Sequence, residues 1–138
     1  MDNKQKNRGL LLTNLGTPSD LQPKSIREFL VKFLMDKYII DFPYVLRFIL
    51  VHGIIVPSRT KKSLAAYKKI WTKDGSPLMI YSKLLQEKIQ SKTTIPIALS
   101  MRYGNPSTEN AFKDLLRQNQ SLDEVVVLPL YPHYTMSS

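Results

Sequence analysis

The chain has 138 residues, 43% of them hydrophobic and 22% charged, a composition that supports a globular domain with its own core and excludes a wholly disordered polymer. It carries no cysteine, which excludes disulfides, thiolate metal sites and iron–sulfur clusters within this stretch. The formal net charge of +9 suits an acidic partner (nucleic acid, an anionic membrane or a carboxylate-bearing ligand), but the cations are spread rather than blocked, as on a generic basic surface.

Residues 1–8 are polar and predict a flexible start. They show no secretory signal pattern, so a cytoplasmic protein is expected. Residues 9–18 open with an apolar run and close on Gly16-Thr17-Pro18, which reads as a buried first strand followed by a loop. Neither a G-x-G-x-x-G nor a G-x-x-x-x-G-K-[ST] pattern is present, so the dinucleotide and P-loop readings fall away. Gly16 suits a tight turn at positive φ, or a place in a site at the strand's carboxyl end.

Ser25-Ile26-Arg27-Glu28 has the form of a capping box, and Ile26, Phe29, Leu30, Phe33 and Leu34 follow at helical spacing. A helix to about Met35 is predicted. Residues 38–56 are unusually apolar, interrupted by Asp41, Pro43 and Arg47, with an uncharged piece too short to span a bilayer. Two readings stay open there: a core helix after Pro43, or an apolar lip that lines a pocket or rests on a membrane. His52, inside this run, reads as a packed residue rather than a ligand.

Pro57-Ser58 is expected to restart the chain, with Ser58 capping a helix to about Trp71 that buries Leu64, Tyr67 and Trp71. Lys61, Lys62, Lys68 and Lys69 would share its other face, solvated or anion-binding. Asp74-Gly75 predicts a turn, Ser76 a cap and Pro77 a first helical residue. Leu78, Tyr81, Leu85 and Ile89 then form the inward stripe of a helix ending near Lys92. Residues 95–101 predict a second strand; Arg102 and Tyr103 stand at its carboxyl end, before a helix with Ala111, Phe112, Leu115 and Leu116 inward. Residues 125–130 form a third apolar run, expected to be a strand covered on both faces and ended by Pro129 and Pro132. The fold class is therefore α/β, a parallel sheet flanked by helices.

Ligands of open α/β sheets bind beyond the carboxyl ends of the strands. Those ends bring Asn14 to Thr17, then Arg102 and Tyr103, then Tyr134 to Ser138. An arginine beside tyrosines and hydroxyls suits a flat conjugated ligand with carboxylate arms; the alternative for Arg102 is a helix cap or a structural ion pair. No paired carboxylates, nucleophile–base pair or histidine cluster with metal spacing is visible.

Asn14-Leu15-Gly16-Thr17-Pro18, Phe29-Leu30 with Met35-Asp36, Tyr67 to Trp71 with Gly75-Ser76-Pro77-Leu78, Met101 to Ser107, and Leu128 to Tyr134 occur in register over about residues 9–138. Together they resemble the amino-terminal part of a bacterial ferrochelatase. The resemblance implies a chelatase-like fold, of which residues 9–138 would form one of two similar α/β domains, ahead of a catalytic second half that this stretch lacks. It implies insertion of ferrous iron into protoporphyrin IX to make haem, with both as substrates and no cofactor in this chain. The family's Ser-x-His motif and catalytic acid do not occur here, so the stretch alone is expected to be inactive. His133 stands where the family commonly has glutamine. The implied porphyrin-binding positions are Leu15, Arg102, Tyr103, Tyr134 and Ser137, with Lys68 and Lys69 near the propionates. The implied partners are the porphyrin, the remaining half of the enzyme and peripheral membrane, with no nucleic acid. Competing readings are a basic α/β module for an acidic polymer or membrane surface, and a chelatase for another tetrapyrrole such as sirohydrochlorin.

Overall fold

In the computed structural model, which describes residues 6–131, the first strand of the sequence is the middle strand of the sheet. Strand β1 (Arg8–Asn14) lies between β2 (Ile97–Met101) and β3 (Glu124–Pro129), and both pairings are parallel. Leu12 pairs with Leu99 on one side and Leu128 on the other, so the carboxyl ends of all strands open on one rim. The polar start is shorter than expected. Asn7 already accepts the Asp123 amide, and Arg8 opens β1 with its guanidinium on Glu124 at 3.0 Å. Residues 1–5, the rest of the predicted flexible start, lie outside the described residues.

The two faces of β1 and β2 divide by the period of two. Leu11 and Ala98 pack against Ala111 and Leu115 of helix α5 (Thr108–Gln118). Leu12, Ile97, Leu99 and Met101 pack against Leu78, Met79 and Ile89 of helix α4 (Pro77–Gln90). Leu12 is 0% exposed, and truncating such a residue to alanine costs about 2–5 kcal/mol. A separate cluster joins Leu34 of helix α1 (Pro23–Leu34) to Val51 and Val56.

Several expectations are corrected. The Ser25–Glu28 capping box does not form, because α1 begins earlier, with Pro23 in its first turn and Gln22 as N-cap. Proline's fixed φ and missing N–H suit that position. Asp20 serves the helix start instead, accepting the Gln22 amide at 2.8 Å. A bond from the Ser25 side chain, then that amide, hold the Asp20 carboxyl below its usual value.

Pro57 does not restart the chain. Helix α2 (Tyr44–Leu50) runs through a π-helical turn (Val51–Ile55) directly into helix α3 (Val56–Ile70). The Val56 amide bonds to the Val51 carbonyl, five residues back. That wider turn accommodates a proline whose ring would otherwise meet the carbonyl of the preceding turn. Ser58 therefore caps nothing; its hydroxyl donates to the Ile55 carbonyl at 2.9 Å. Leu64, Tyr67 and Trp71 are half-buried rather than a fully buried stripe.

Helix α4 ends at Gln90, and of its predicted stripe Leu78 and Ile89 face the core while Tyr81 and Leu85 do not. Tyr81 is 70% exposed and Leu85 is also exposed, whereas Ser82 is buried. The Ser82 hydroxyl donates to the Leu78 carbonyl at 2.7 Å and accepts from the Asn14 amide at 3.1 Å, so a polar contact decides the helix rotation. On α5, Ala111 and Leu115 point inward as expected, but Phe112 and Leu116 are exposed. The largest departure is β3. It pairs only with β1 among the described residues, and Val127 is 54% exposed with Val126 and Leu128 similarly bare. An apolar run predicts a covered strand only when helices lie over it, and α4 and α5 lie over β2 and β1.

Candidate functional site

At the rim, the loops after β1 and β2 are locked backbone to backbone. The Arg102 amide donates to the Asn14 carbonyl at 2.9 Å, and the Tyr103 amide to the Leu15 carbonyl at 2.8 Å. Gly16 has φ +117°, and a Cβ there would stand 1.8 Å from the Tyr103 carbonyl oxygen. Only glycine meets both conditions, so the tight-turn reading of Gly16 holds and a close approach is added to it. The Thr17 hydroxyl donates to the Ser76 hydroxyl at 2.9 Å, tying the same loop to the start of α4. Ser76 thus occupies the expected N-cap position without making a side-chain cap bond.

These contacts frame an apolar cavity of about 440 Å³ lined by Leu15, Phe29, Leu30, Phe33, Tyr67 and Ile70 among others. Its aromatic wall is continuous: Phe29 and Phe33 stack at 6.3 Å and Tyr67 meets Phe29 edge-on, with Trp71, outside the lining, edge-on to Tyr67. Burial pushes the Tyr67 phenol up, so its hydroxyl stays neutral near pH 7. Cavities of this size with apolar linings and few polar groups are typical of small-molecule sites.

The predicted site residues distribute unevenly around it. Leu15 lines the cavity. Tyr103 is buried behind it, its ring edge-on to Phe33 at 5.2 Å. Arg102 is already paired: Nη2 donates to Asp36 Oδ2 at 2.9 Å, and Nε to the Tyr103 hydroxyl at 3.0 Å. The Tyr103 hydroxyl donates to that same Asp36 oxygen at 2.7 Å. Hydrogen bonding from Tyr103 and the nearby Asp36 charge raise Arg102, against the effect of burial. Burial raises Tyr103. Burial would also raise Asp36, but the bonds from the Tyr38 amide, Tyr103 and Arg102 outweigh it and hold the carboxyl below its usual value. Lys68 and Lys69 are exposed, make no ion pair among the described residues and do not line the cavity, although they adjoin Tyr67 and Ile70, which do. Tyr134 and Ser137 lie outside the described residues, as does His133.

Sequence reasoning missed Phe33, Tyr67 and Asp36 as members of this assembly. A signal for them exists in the sequence: Phe29 and Phe33 share a helix face at a spacing of four, and Asp36 follows Met35 in the family-like motif. Among the described residues, no group of His, Asp and Glu could hold a metal ion.

Residues 38–56 contain a second departure. Arg47 of α2 is buried, with Nη1 donating to the Ile40 and Phe42 carbonyls. Around it Tyr44, Val45, Leu46, Phe48 and Ile49 are all exposed, Val45 at 66%. The core-helix reading fails for α2, whose apolar residues form an exposed lip, and holds for its continuation, where Val51 and Val56 are buried. His52 is exposed rather than packed in a core, with its ring 4.2 Å from Phe48. No described helix is long and apolar enough to cross a membrane.

A parallel sheet flanked by helices, with an aromatic, apolar pocket at its carboxyl rim, is consistent with an α/β domain of the chelatase-like class. The family model described as Ferrochelatase matches residues 7–138. The chain belongs to the ferrochelatase family. It is 42% identical over 135 residues to the ferrochelatase of Vibrio atlanticus (strain LGP32), covering 98% of this chain and 41% of that relative. To the ferrochelatase of Coxiella burnetii (strain Dugway 5J108-111) it is 43% identical over 132 residues, covering 94% of this chain and 37% of the relative. The chain thus spans about two-fifths of the length of these curated relatives.

Proposed function

We propose that this chain supplies the porphyrin-facing part of a ferrochelatase, an enzyme that inserts ferrous iron into protoporphyrin IX. The observation that carries the reading is the apolar cavity walled by Leu15, Phe29, Phe33 and Tyr67 at the sheet rim, in a chain of this family. A flat macrocycle laid against that wall gains apolar burial and aromatic contact over one face. Leu15 contributes apolar contact only. Arg102 and Tyr103 back the wall, while Lys68 and Lys69 stand on the adjoining helix, where propionates could reach them. Tyr134 and Ser137 belong to the same rim by sequence. The proton acceptor and its acidic helper come from the remainder of the enzyme, so the stretch alone binds porphyrin without metallating it. Iron and porphyrin are substrates, and no cofactor is called for. Binding of an acidic polymer or nucleic acid would leave the apolar cavity unexplained.

The test uses the single tryptophan. Trp71 touches Tyr67, so protoporphyrin IX bound in the cavity should quench its fluorescence. Phe33→Ala and Leu15→Glu should each weaken the titration by about tenfold, since removing a buried aromatic contact or inserting a charge costs at least ~1.4 kcal/mol. Wild-type fluorescence unmoved by porphyrin would remove this reading.

A second function is carried by a different observation. Helix α2 places its one charged residue inward and its apolar residues outward, the reverse of a helix facing water. This polarity, beside the basic α3, supports peripheral contact with an anionic membrane surface.

A further inference from the structure

Three groups of residues meet at Asp36, and each of its carboxylate oxygens is engaged. Oδ1 accepts the Tyr38 amide at 2.9 Å, fixing the turn that follows α1. Oδ2 accepts both the Arg102 guanidinium and the Tyr103 hydroxyl, at 2.9 and 2.7 Å. An ordinary surface ion pair would need only the first of these. The second links the carboxylate to the cavity, which Asp36 itself does not touch. Tyr103 is held at both ends, its hydroxyl by Asp36 and its backbone amide by the Leu15 carbonyl. Its ring then abuts Phe33 edge-on. Leu15 and Phe33 both line the cavity.

We infer that Asp36 is a positioning residue of the apolar pocket, holding through Tyr103 the two side chains, Leu15 and Phe33, that form its wall. Arg102 completes the arrangement. Its charge is met by Asp36, and its Nε bond fixes the Tyr103 oxygen from a second direction, so the hydroxyl has one orientation in which to donate. A neutral, mutually bonded trio behind an aromatic wall keeps the wall in register without presenting a bare charge to an apolar ligand. The inference deepens the porphyrin reading and rests on it for the identity of the ligand, but the wall's geometry can be measured without ligand.

Asp36→Asn keeps the shape of the side chain but removes its charge and turns one acceptor into a donor. Tyr103→Phe leaves the Asp36–Arg102 pair but removes the hydroxyl, and with it both the bond to Asp36 and the one accepted from Arg102 Nε. Each variant should weaken protoporphyrin IX binding, read by Trp71 quenching, by about tenfold or more, the loss expected for one charge-assisted bond. Because both act through one contact, the double variant should be no more than about twofold weaker than the worse single one. In the ligand-free chain, both should shift the NMR signals of the Phe33 ring and the Leu15 methyls. A folded Asp36→Asn that binds as wild type, or losses that simply multiply in the double variant, would overturn the inference. If Asp36→Asn does not fold, Tyr103→Phe decides it: unmoved Phe33 and Leu15 signals refute the positioning role. If the wild type binds no porphyrin, the porphyrin reading fails, and the same ligand-free signals decide the role of Asp36.

Discussion

Substituting three glycines by alanine separates backbone strain from steric collision at the rim. Gly53, in the π-helical turn, has open space around its missing Cβ and no positive φ. Gly75 has φ +116° but also open space. Gly16 has φ +117° and the Tyr103 carbonyl oxygen 1.8 Å from where a Cβ would be. Gly53→Ala should stabilise by about 0.5–1 kcal/mol, the helical advantage of alanine. Gly75→Ala should cost about 1–2 kcal/mol, the strain of a side chain at positive φ. Gly16→Ala bears that strain and must also push the Tyr103 peptide away by about an ångström, losing the Tyr103–Leu15 bond at a further ~0.5–1.5 kcal/mol. A total near 3 kcal/mol corresponds to a drop in Tm of roughly 10 °C or more in a domain of this size. Thermal denaturation by circular dichroism would rank the series Gly53→Ala above wild type, then Gly75→Ala, then Gly16→Ala. A Gly16→Ala protein melting no lower than Gly75→Ala would refute the close approach of the two loops.

Acid stability should carry the mark of Asp36. Its folded value lies below 3.8, so its contribution is present above the unfolded carboxylate range and is lost as pH falls through the lowered folded value. Asp36→Asn should therefore flatten the fall of Tm below about pH 4, and an unchanged acid limb would count against the bonded trio. Vesicles of anionic lipid should carry the chain to the top of a flotation gradient at low salt and less at high salt, since surface charges are screened over about 10 Å at 0.1 M. Replacing Val45 and Ile49 with serine should abolish that flotation, and failure of the wild type to float would leave the lip without this role. Val127→Lys on the open edge should reduce self-association in analytical ultracentrifugation while changing stability by no more than about 0.5 kcal/mol.

The parallel pairing and the turn at Gly16 were legible because a run of apolar strands and helices implies the one, and a Gly-Thr-Pro sequence after an apolar run has few conformations open to it. The split of Leu11 and Leu12 onto opposite faces follows the period of two but was not read from the continuous apolar run. What hydrophobicity alone misassigned was decided by contacts distant in sequence. Ser82 faces inward because Asn14, 68 residues away, needs a partner. Val126 to Leu128 are bare because α4 and α5 lie over the neighbouring strands. Arg47 is buried because its guanidinium satisfies the Ile40 and Phe42 carbonyls, a use no periodicity would suggest. At the site, motif reading found Leu15, Arg102 and Tyr103. It left Arg102 between a ligand carboxylate and a structural ion pair, and could not name the partner that the fold supplies, Asp36, 66 residues earlier in the chain.

The place of β1 in the middle of the sheet also sets a timetable. Leu12 and its bonding partner Ser100 are separated by 88 residues, and Asn7 and Asp123 by 116. A ribosome adding about 5–20 residues per second would expose β1 for roughly 5–25 s before both neighbours exist. Until β2 emerges, Leu10, Leu11 and Leu12 have no native strand to pair with, although α1 to α4 can begin to collapse around them. Pairing of β1 on both sides is thus a late event of synthesis, possible only when β3 arrives. Slowed translation between β2 and β3 would prolong a state with one bare edge of β1, the interval in which a holdase chaperone would have most to grip.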